Sequence, residues 1–243
     1  MNAGNAPLTP FHEGKLLLID KPLGWTSFDL VNKVRINIEM HFGLKKRSLK
    51  VGHAGTLDPL ATGLMLVCTG RMTKQMDQFI GLPKEYTGTF VLGATTASFD
   101  LEKEVDAHFP TAHLSEEAIR GAAKTFVGKH EQEPPVFSAK KIDGTRAYEF
   151  AREGKAVELR KASIEITQME ITRIELPEVD FAVACSKGTY IRSLARDFGQ
   201  ALQTGAYLSA LRRTSIGEYN VAEALSVNAL REMLERDFPR TVK

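Results

Sequence analysis

The sequence predicts an α+β fold with one central mixed sheet flanked by helices. Two observations carry that reading. Some short stretches alternate apolar and polar residues with period two, and others place apolar residues at helical spacing. A third is that the two kinds are intermixed without a regular βαβ alternation, which speaks against a doubly wound parallel sheet. With 243 residues, 43% hydrophobic and 26% charged, the chain can bury a proper core as one large domain or a domain with a small appendage.

In chain order, KLLLID (15–20) reads as a short apolar strand ended by the Lys-Pro-Leu-Gly turn. Thr26 and Asp29 form a capping-box pattern in front of FDLVNKVRINI, a helix. A glycine-rich loop, VGHAGTLDPLATG, then feeds LMLVCTG, a buried strand. TKQMDQFI reads as a short helix stopped by Gly81 and Pro83. In EYTGTFVLG, Tyr86, Gly88, Phe90 and Leu92 fall on one face of a strand.

SEEAIRGAAKTFVGKH is amphipathic, with Ser115 as helix cap and Gly128 as stop. A proline turn and a basic loop follow, then a helix ended by Gly154. SIEITQMEITRIEL and DFAVAC alternate as strands. TYIRSLARDFGQALQ is a helix with Ile191, Leu194, Ala195, Phe198, Ala201 and Leu202 inward, and SVNALREMLERDF a terminal helix.

Cys68 and Cys185 are the only cysteines, far apart and each in an apolar run, so they read as buried hydrophobes rather than a disulfide or zinc site. The first residues lack a basic segment followed by an apolar one, and no apolar run approaches membrane-spanning length. The expectation is a cytoplasmic protein with no membrane partner. The net charge of +2 is small, but its distribution is uneven. Segments 32–50 and 138–161 are basic, as is the group Lys187, Arg192, Arg196, Arg212 and Arg213, while acids gather in 98–117. Such patches fit a polyanion footprint, and they fit ordinary solvated faces as well.

The stretch VGHAGTLDPLATGLMLVCTG (51–70) holds one carboxylate, Asp58, among small residues and turn formers. Asp-Pro is a common turn, and that is one reading of it. Several chemistries are excluded. No Gly-Lys-Ser/Thr ending marks a phosphate loop, HExxH and GxSxG are absent, and the six histidines show no ligand spacing, so no metal is expected. No partner loop exists for an aspartic-protease pair. The other reading of Asp58 is a single carboxylate acting as nucleophile or base without a metal, held by a cation from another segment.

GHAGTLDPLATGLMLVCTGRMTK resembles the catalytic motif of the TruB family of tRNA pseudouridine synthases. LLLIDKPLGWTSFDLVNKVR resembles that family's first motif, KEYTGTFVLGATT its tyrosine strand and CSKGTYIRSLARDFG its arginine motif. EPPVFSAKKIDGTRAYEFAREG resembles its substrate-gripping insertion, and LRRTSIGEY closes the core. The six motifs occur in the family's order and cover nearly the whole chain.

The resemblance implies a pseudouridine synthase fold. It makes Asp58 the nucleophile on uridine 55 of the tRNA TΨC loop, with Arg192 as its cationic partner. Tyr86 stacks on the uracil and can assist proton transfer, and Tyr190 and Leu211 line the uracil pocket. His53 fills the gap left by the flipped nucleotide, and Lys21 and Lys74 support the site or contact phosphate. No cofactor and no obligate protein partner are implied, and the basic segments would grip the tRNA stem-loop. The expected division is a catalytic domain over 1–215, with its basic insertion at about 130–160, and a short helical extension over 216–243 in place of a full C-terminal RNA-binding domain. In the turn after the paired threonines Ala97 stands where the family often carries an acid, and the acid falls at Asp100. Two other readings remain: a pseudouridine synthase acting on another RNA, and an RNA-binding or tRNA-folding chaperone.

Overall fold

The computed structural model describes residues 8–135, 137, 141–142, 145–146 and 160–239. Its helices are α1 (Pro10–Glu13), α2 (Ser27–His41), α3 (Met76–Ile80), α4 (Glu116–Thr125), α5 (Ile191–Ala201) and α6 (Val227–Asp237). Its strands are β1 (Leu16–Lys21), β2 (Val51–Ala54), β3 (Ala61–Thr69), β4 (Lys84–Leu92), β5 (Ala94–Thr96), β6 (Val105–His108), β7 (Gly128–Gln132), β8 (Lys141–Ile142), β9 (Thr145–Arg146), β10 (Ala162–Glu175), β11 (Glu178–Cys185), β12 (Ala206–Ile216) and β13 (Tyr219–Asn220). This is the α+β architecture that the interleaved periodicities predicted. Among the described residues no helix is long and apolar enough to cross a membrane.

The chain packs as two units, one comprising the residues up to Lys84 and those from Arg212 onward, the other Glu85–Leu211. In the first unit β3 is the central strand, and its nearly continuous run of buried residues is what a strand covered on both faces requires. It pairs antiparallel with β1, from Leu16↔Cys68 to Lys21↔Gly63, and with β2, from Val51↔Thr69 to Ala54↔Leu66. The residues Arg212–Ile216 of β12 belong to this unit, and its last two pair with β13. The helix α2 starts as its sequence dictates: Asp29 N–H donates to Thr26 Oγ1 at 3.0 Å and Thr26 N–H to Asp29 Oδ2 at 3.0 Å. Its buried face is Leu30, Val34 and Ile38, at helical spacing. His41 at its end meets the Phe238 carbonyl at 2.7 Å, tying the end of α6 to α2.

In the second unit the sheet runs in the order β12, β4, β11, β10, β7, with the 206–211 part of β12 at one side. Phe90 of β4 stacks on Phe181 of β11 at 4.0 Å between ring centroids, and Phe198 of α5 leans on the same ring at 5.2 Å. Gly88 is required here, because a Cβ at that position would meet the Ala210 carbonyl and the Phe181 ring below 3 Å.

The structure differs from the sequence reading at several points. Residues 51–54 are a strand, since their backbone is completed by β3 although two of the four are glycine and histidine. Gly128 opens an edge strand where a helix stop was expected. That strand, GKHEQ, has no apolar residue to announce it and is fixed by pairing with Ala162–Ile166. Ala201 is exposed rather than inward, because α5 ends there and Leu202 takes the buried place. The helix expected before Gly154 lies outside the described residues.

Candidate active site

Asp58 lies in the loop between β2 and β3, half-buried. Two glycines at positive φ, Gly55 at +89° and Gly63 at +105°, turn the chain into and out of that loop. Gly63 has no room for a side chain, since a Cβ there would run into the backbone of Arg213. Three side chains fasten the loop. Ser27 at the start of α2 accepts from Leu57 N–H and donates to the Leu57 carbonyl, both at 2.9 Å. Arg213, 1% exposed, donates to the carbonyls of Gly55 at 3.0 Å, Thr56 at 3.5 Å and Leu64 at 2.8 Å.

Lys21 is the third fastening. Its fully buried ammonium donates to the carbonyls of Trp25 at 2.6 Å, Pro22 at 3.0 Å and Pro59 at 3.3 Å, and Pro59 directly follows Asp58. Burial brings its pKa down to about 8, against the opposing pull of the Asp58 carboxylate; the charge of Arg213 adds to the lowering. His53 of β2 sits opposite Val67. Burial holds its imidazole below the usual range, the Gly55 backbone opposes this, and Arg213 reinforces it, so the ring is neutral near pH 7. Lys21 at the end of β1, His53 on β2 and Asp58 in the loop thus belong to one unit. Lys74 stands exposed on a 3-10 turn, Gly70–Gln75, without a hydrogen bond or ion pair among the described residues.

In the second unit Tyr86 is buried near the start of β4, and Leu211 is half-buried on β12. Tyr190 precedes α5, its N–H donating to Gln132 Oε1 at 2.8 Å and its carbonyl accepting from Gln132 Nε2 at 3.1 Å. Arg192, in the first turn of α5, is 4% exposed. Its Nη2 donates to the Phe137 carbonyl at 2.9 Å and Nη1 to the Ser98 carbonyl at 3.4 Å, while Nε faces Asp100 Oδ2 at 3.6 Å.

Asp100 is the functional candidate that sequence reasoning left without a role. It is buried, its Oδ1 accepts from Glu102 N–H at 2.9 Å, and its carbonyl accepts from Thr96 Oγ1 at 2.7 Å. The threonine and the acid therefore build one turn that presents a carboxylate to Arg192. The signal was the displaced acid itself: Ala97, at the place the family often gives an acid, is exposed, and Asp100 is not. Arg213 was also missed, counted only within a basic group.

The model described as TruB family pseudouridylate synthase (N terminal domain) matches residues 41–191. The chain belongs to the TruB family of pseudouridylate synthases. A second model, the tRNA pseudouridylate synthase B C-terminal domain, matches 192–239. The chain is 54% identical over 230 residues to the tRNA pseudouridine synthase B of Flavobacterium johnsoniae, covering 94% of this chain and 100% of that protein. It is 53% identical to that of Phocaeicola vulgatus over 226 residues, 93% of this chain and 95% of that one. Among solved structures it is similar to a Cbf5-Nop10-Gar1 complex, with TM-score 0.68 and 26% identity over 95% of this chain; it spans only 58% of the matched chain. The TruB-family chain is an isomerase, and its fold is the pseudouridine synthase fold.

Proposed function

We propose that this chain converts uridine 55 in the TΨC loop of tRNA to pseudouridine, with Asp58 as the nucleophile. The observation that carries the reading is the fastening of the Asp58 loop. Three side chains, two of them buried cations, spend every hydrogen bond described for them on backbone groups of the loop and its neighbours. A turn residue of no consequence does not need such support. The relatives named tRNA pseudouridine synthase B supply the substrate class.

The reaction detaches uracil at N1, turns it and rejoins it to the ribose through C5. The C5 hydrogen leaves as a proton and N1, released from its bond to the ribose, takes a proton up, so no electrons are gained or lost and no cofactor is required. Asp58 supplies the attacking carboxylate. Arg192 is its proposed cationic partner, and Asp100 sets the orientation of that guanidinium. Tyr86 offers a ring for the uracil to stack on, with Tyr190 and Leu211 beside it as pocket lining. His53, a neutral ring near pH 7, is suited to take the stacking place that the extruded base leaves. The basic segment 32–50 supports the phosphate backbone of the stem-loop, as does the basic insertion proposed at about 130–160.

Tritium release from uridine-5-labelled tRNA transcript tests the reading, with wild type and Asp58→Asn compared. Release by wild type alone, with tRNA binding retained in the variant, is the expected result. Tight binding without release by either protein would leave an RNA-binding chaperone. Release from ribosomal RNA but not from tRNA would overturn the substrate.

A further inference from the structure

The turn that fastens onto the Asp58 loop carries a second, outward-facing feature. Gly24 N–H donates to the Pro59 carbonyl at 2.9 Å, and the Trp25 carbonyl takes the shortest bond of Lys21. Between this turn and the first turns of α2 lies an open cavity of about 410 Å³, bordered by Gly24, Trp25, Asp29, Asn32, Lys33 and Ile36. That volume sits at the small end of ligand sites, which run from roughly 300 to 1,000 Å³. Trp25 is the single tryptophan of the chain and is half-buried there. Leu23 and Phe28, on either side of it in sequence, are 63% and 69% exposed, so this apolar surface is uncovered.

The polar groups around the indole are of three kinds. Lys33 is exposed and forms no ion pair among the described residues. Asp29 uses one carboxylate oxygen, Oδ2, for both bonds to Thr26, which leaves Oδ1 to accept. Asn32 accepts from Arg35 Nη2 through Oδ1, which leaves its NH₂ to donate. An aromatic face, an acceptor, a donor and a cation are the requirements of one nucleotide: the base stacks, its edge offers N–H and C=O, and its phosphate meets the ammonium.

We propose that this cavity is a second nucleotide subsite, in which an unpaired nucleotide of the substrate RNA, other than the target uridine, stacks on Trp25 with its phosphate at Lys33. This rests on the function proposed above. RNA is favoured over a protein partner by charge: α2 and the segment after it carry Lys33, Arg35, Lys45, Lys46, Arg47 and Lys50 against Glu39 alone from residue 32 to 50. It is favoured over a free nucleotide because the cavity opens on the turn that holds the nucleophile loop, where the RNA must already be.

Because Trp25 is the only tryptophan, its emission reports this cavity directly. Full-length tRNA transcript, free GMP and free UMP would each be titrated while emission is followed, alongside steady-state kinetics of wild type, Trp25→Ala, Trp25→Phe and Lys33→Gln. Quenching by tRNA and not by the mononucleotides is expected, saturating over the range of KM. A stack of ordinary strength makes Trp25→Ala raise KM roughly tenfold, with kcat within about twofold, and Trp25→Phe recovers most of it. Lys33→Gln, a surface change that leaves folding alone, raises KM and flattens its salt dependence.

Turnover of tRNA with unchanged Trp25 emission would overturn the subsite and leave the proposed function standing. So would a loss of kcat at constant KM, or quenching by a mononucleotide equal to that by tRNA. Emission that changes with protein concentration alone would assign the surface to a second copy of the chain. No turnover of tRNA by wild type would remove the function and the subsite together.

Discussion

Arg213 and Gly55 lie 158 residues apart in sequence and 3.0 Å apart in the structure, guanidinium to carbonyl, and the same guanidinium reaches the Leu64 carbonyl at 2.8 Å. The two carbonyls stand on opposite sides of Asp58. One planar cation therefore sets the spacing of the two ends of the nucleophile loop, which an ammonium on a flexible stem cannot do. Arg213→Lys is expected to keep the charge and lose the spacing. A buried carbonyl left unpaired costs about 1–3 kcal/mol, so the urea midpoint falls and kcat falls more than KM rises. An Arg213→Lys protein with wild-type kcat would show that the loop holds its geometry without the fork.

Gly63→Ala tests the other end of the loop. The residue sits at φ +105°, and its missing Cβ is replaced in space by the backbone of Arg213, so both strain and overlap oppose any side chain. A loss above about 3 kcal/mol in denaturant unfolding is expected, from overpacking of backbone against backbone as well as the conformation. Gly24→Ala is the control. It also sits at positive φ, +80°, but has open space around its Cβ position, so it is expected to lose only about 1 kcal/mol.

Much of this was legible in the sequence, and the gaps have physical causes. Thr26 and Asp29 announced α2 because capping is local chemistry between residues three apart, and β3 was plain as a run of apolar residues. The strand β12 was not, because LSALRRTSI places two arginines in the middle of it. One of them, Arg213, is the largest fully buried side chain among the described residues. Its neighbours on β3 and at Gly55 make the burial possible, and no window of sequence contains them. Asp100 and Arg192 are 92 positions apart, so their pairing could be read only after the strands had folded.

Stability should depend on pH through Lys21. Its folded pKa of about 8 lies below its ordinary 10.5, so the unfolded chain binds more protons between those values and stability rises with pH there. A gain of roughly 1 kcal/mol from pH 7.5 to 9 is expected. Cys68 works the other way. Burial raises its thiol from 9.0 to about 11, so the folded state holds the proton longer and stability falls as pH climbs from about 9. In a Cys68→Ala background the rise should steepen, and adding Lys21→Met should abolish it. Urea midpoints at four pH values decide this; a rise that survives in Lys21→Met would assign it to another group.

Asp100→Asn isolates the charge that faces Arg192. Asparagine keeps an oxygen for the Glu102 N–H, so the turn built with Thr96 can still form. Arg192 retains its bonds to the Phe137 and Ser98 carbonyls but loses the carboxylate that faces its Nε at 3.6 Å. A guanidinium with 4% exposure that loses an anion at 3.6 Å is both less stable and less firmly oriented. Removing one partner of a buried pair costs up to about 3–5 kcal/mol, and the length of this one places it at the lower end. If Arg192 works on the reacting groups, kcat should fall by roughly 10- to 100-fold, the equivalent of about 1.4–2.7 kcal/mol, while KM for tRNA stays within a few-fold. Asp100→Glu keeps the charge and should recover part of that kcat. A drop in KM-limited binding with kcat intact would place the Asp100–Arg192 pair in RNA docking instead, and equal kcat in Asp100→Asn and Asp100→Glu would reduce the pair to a fold contact.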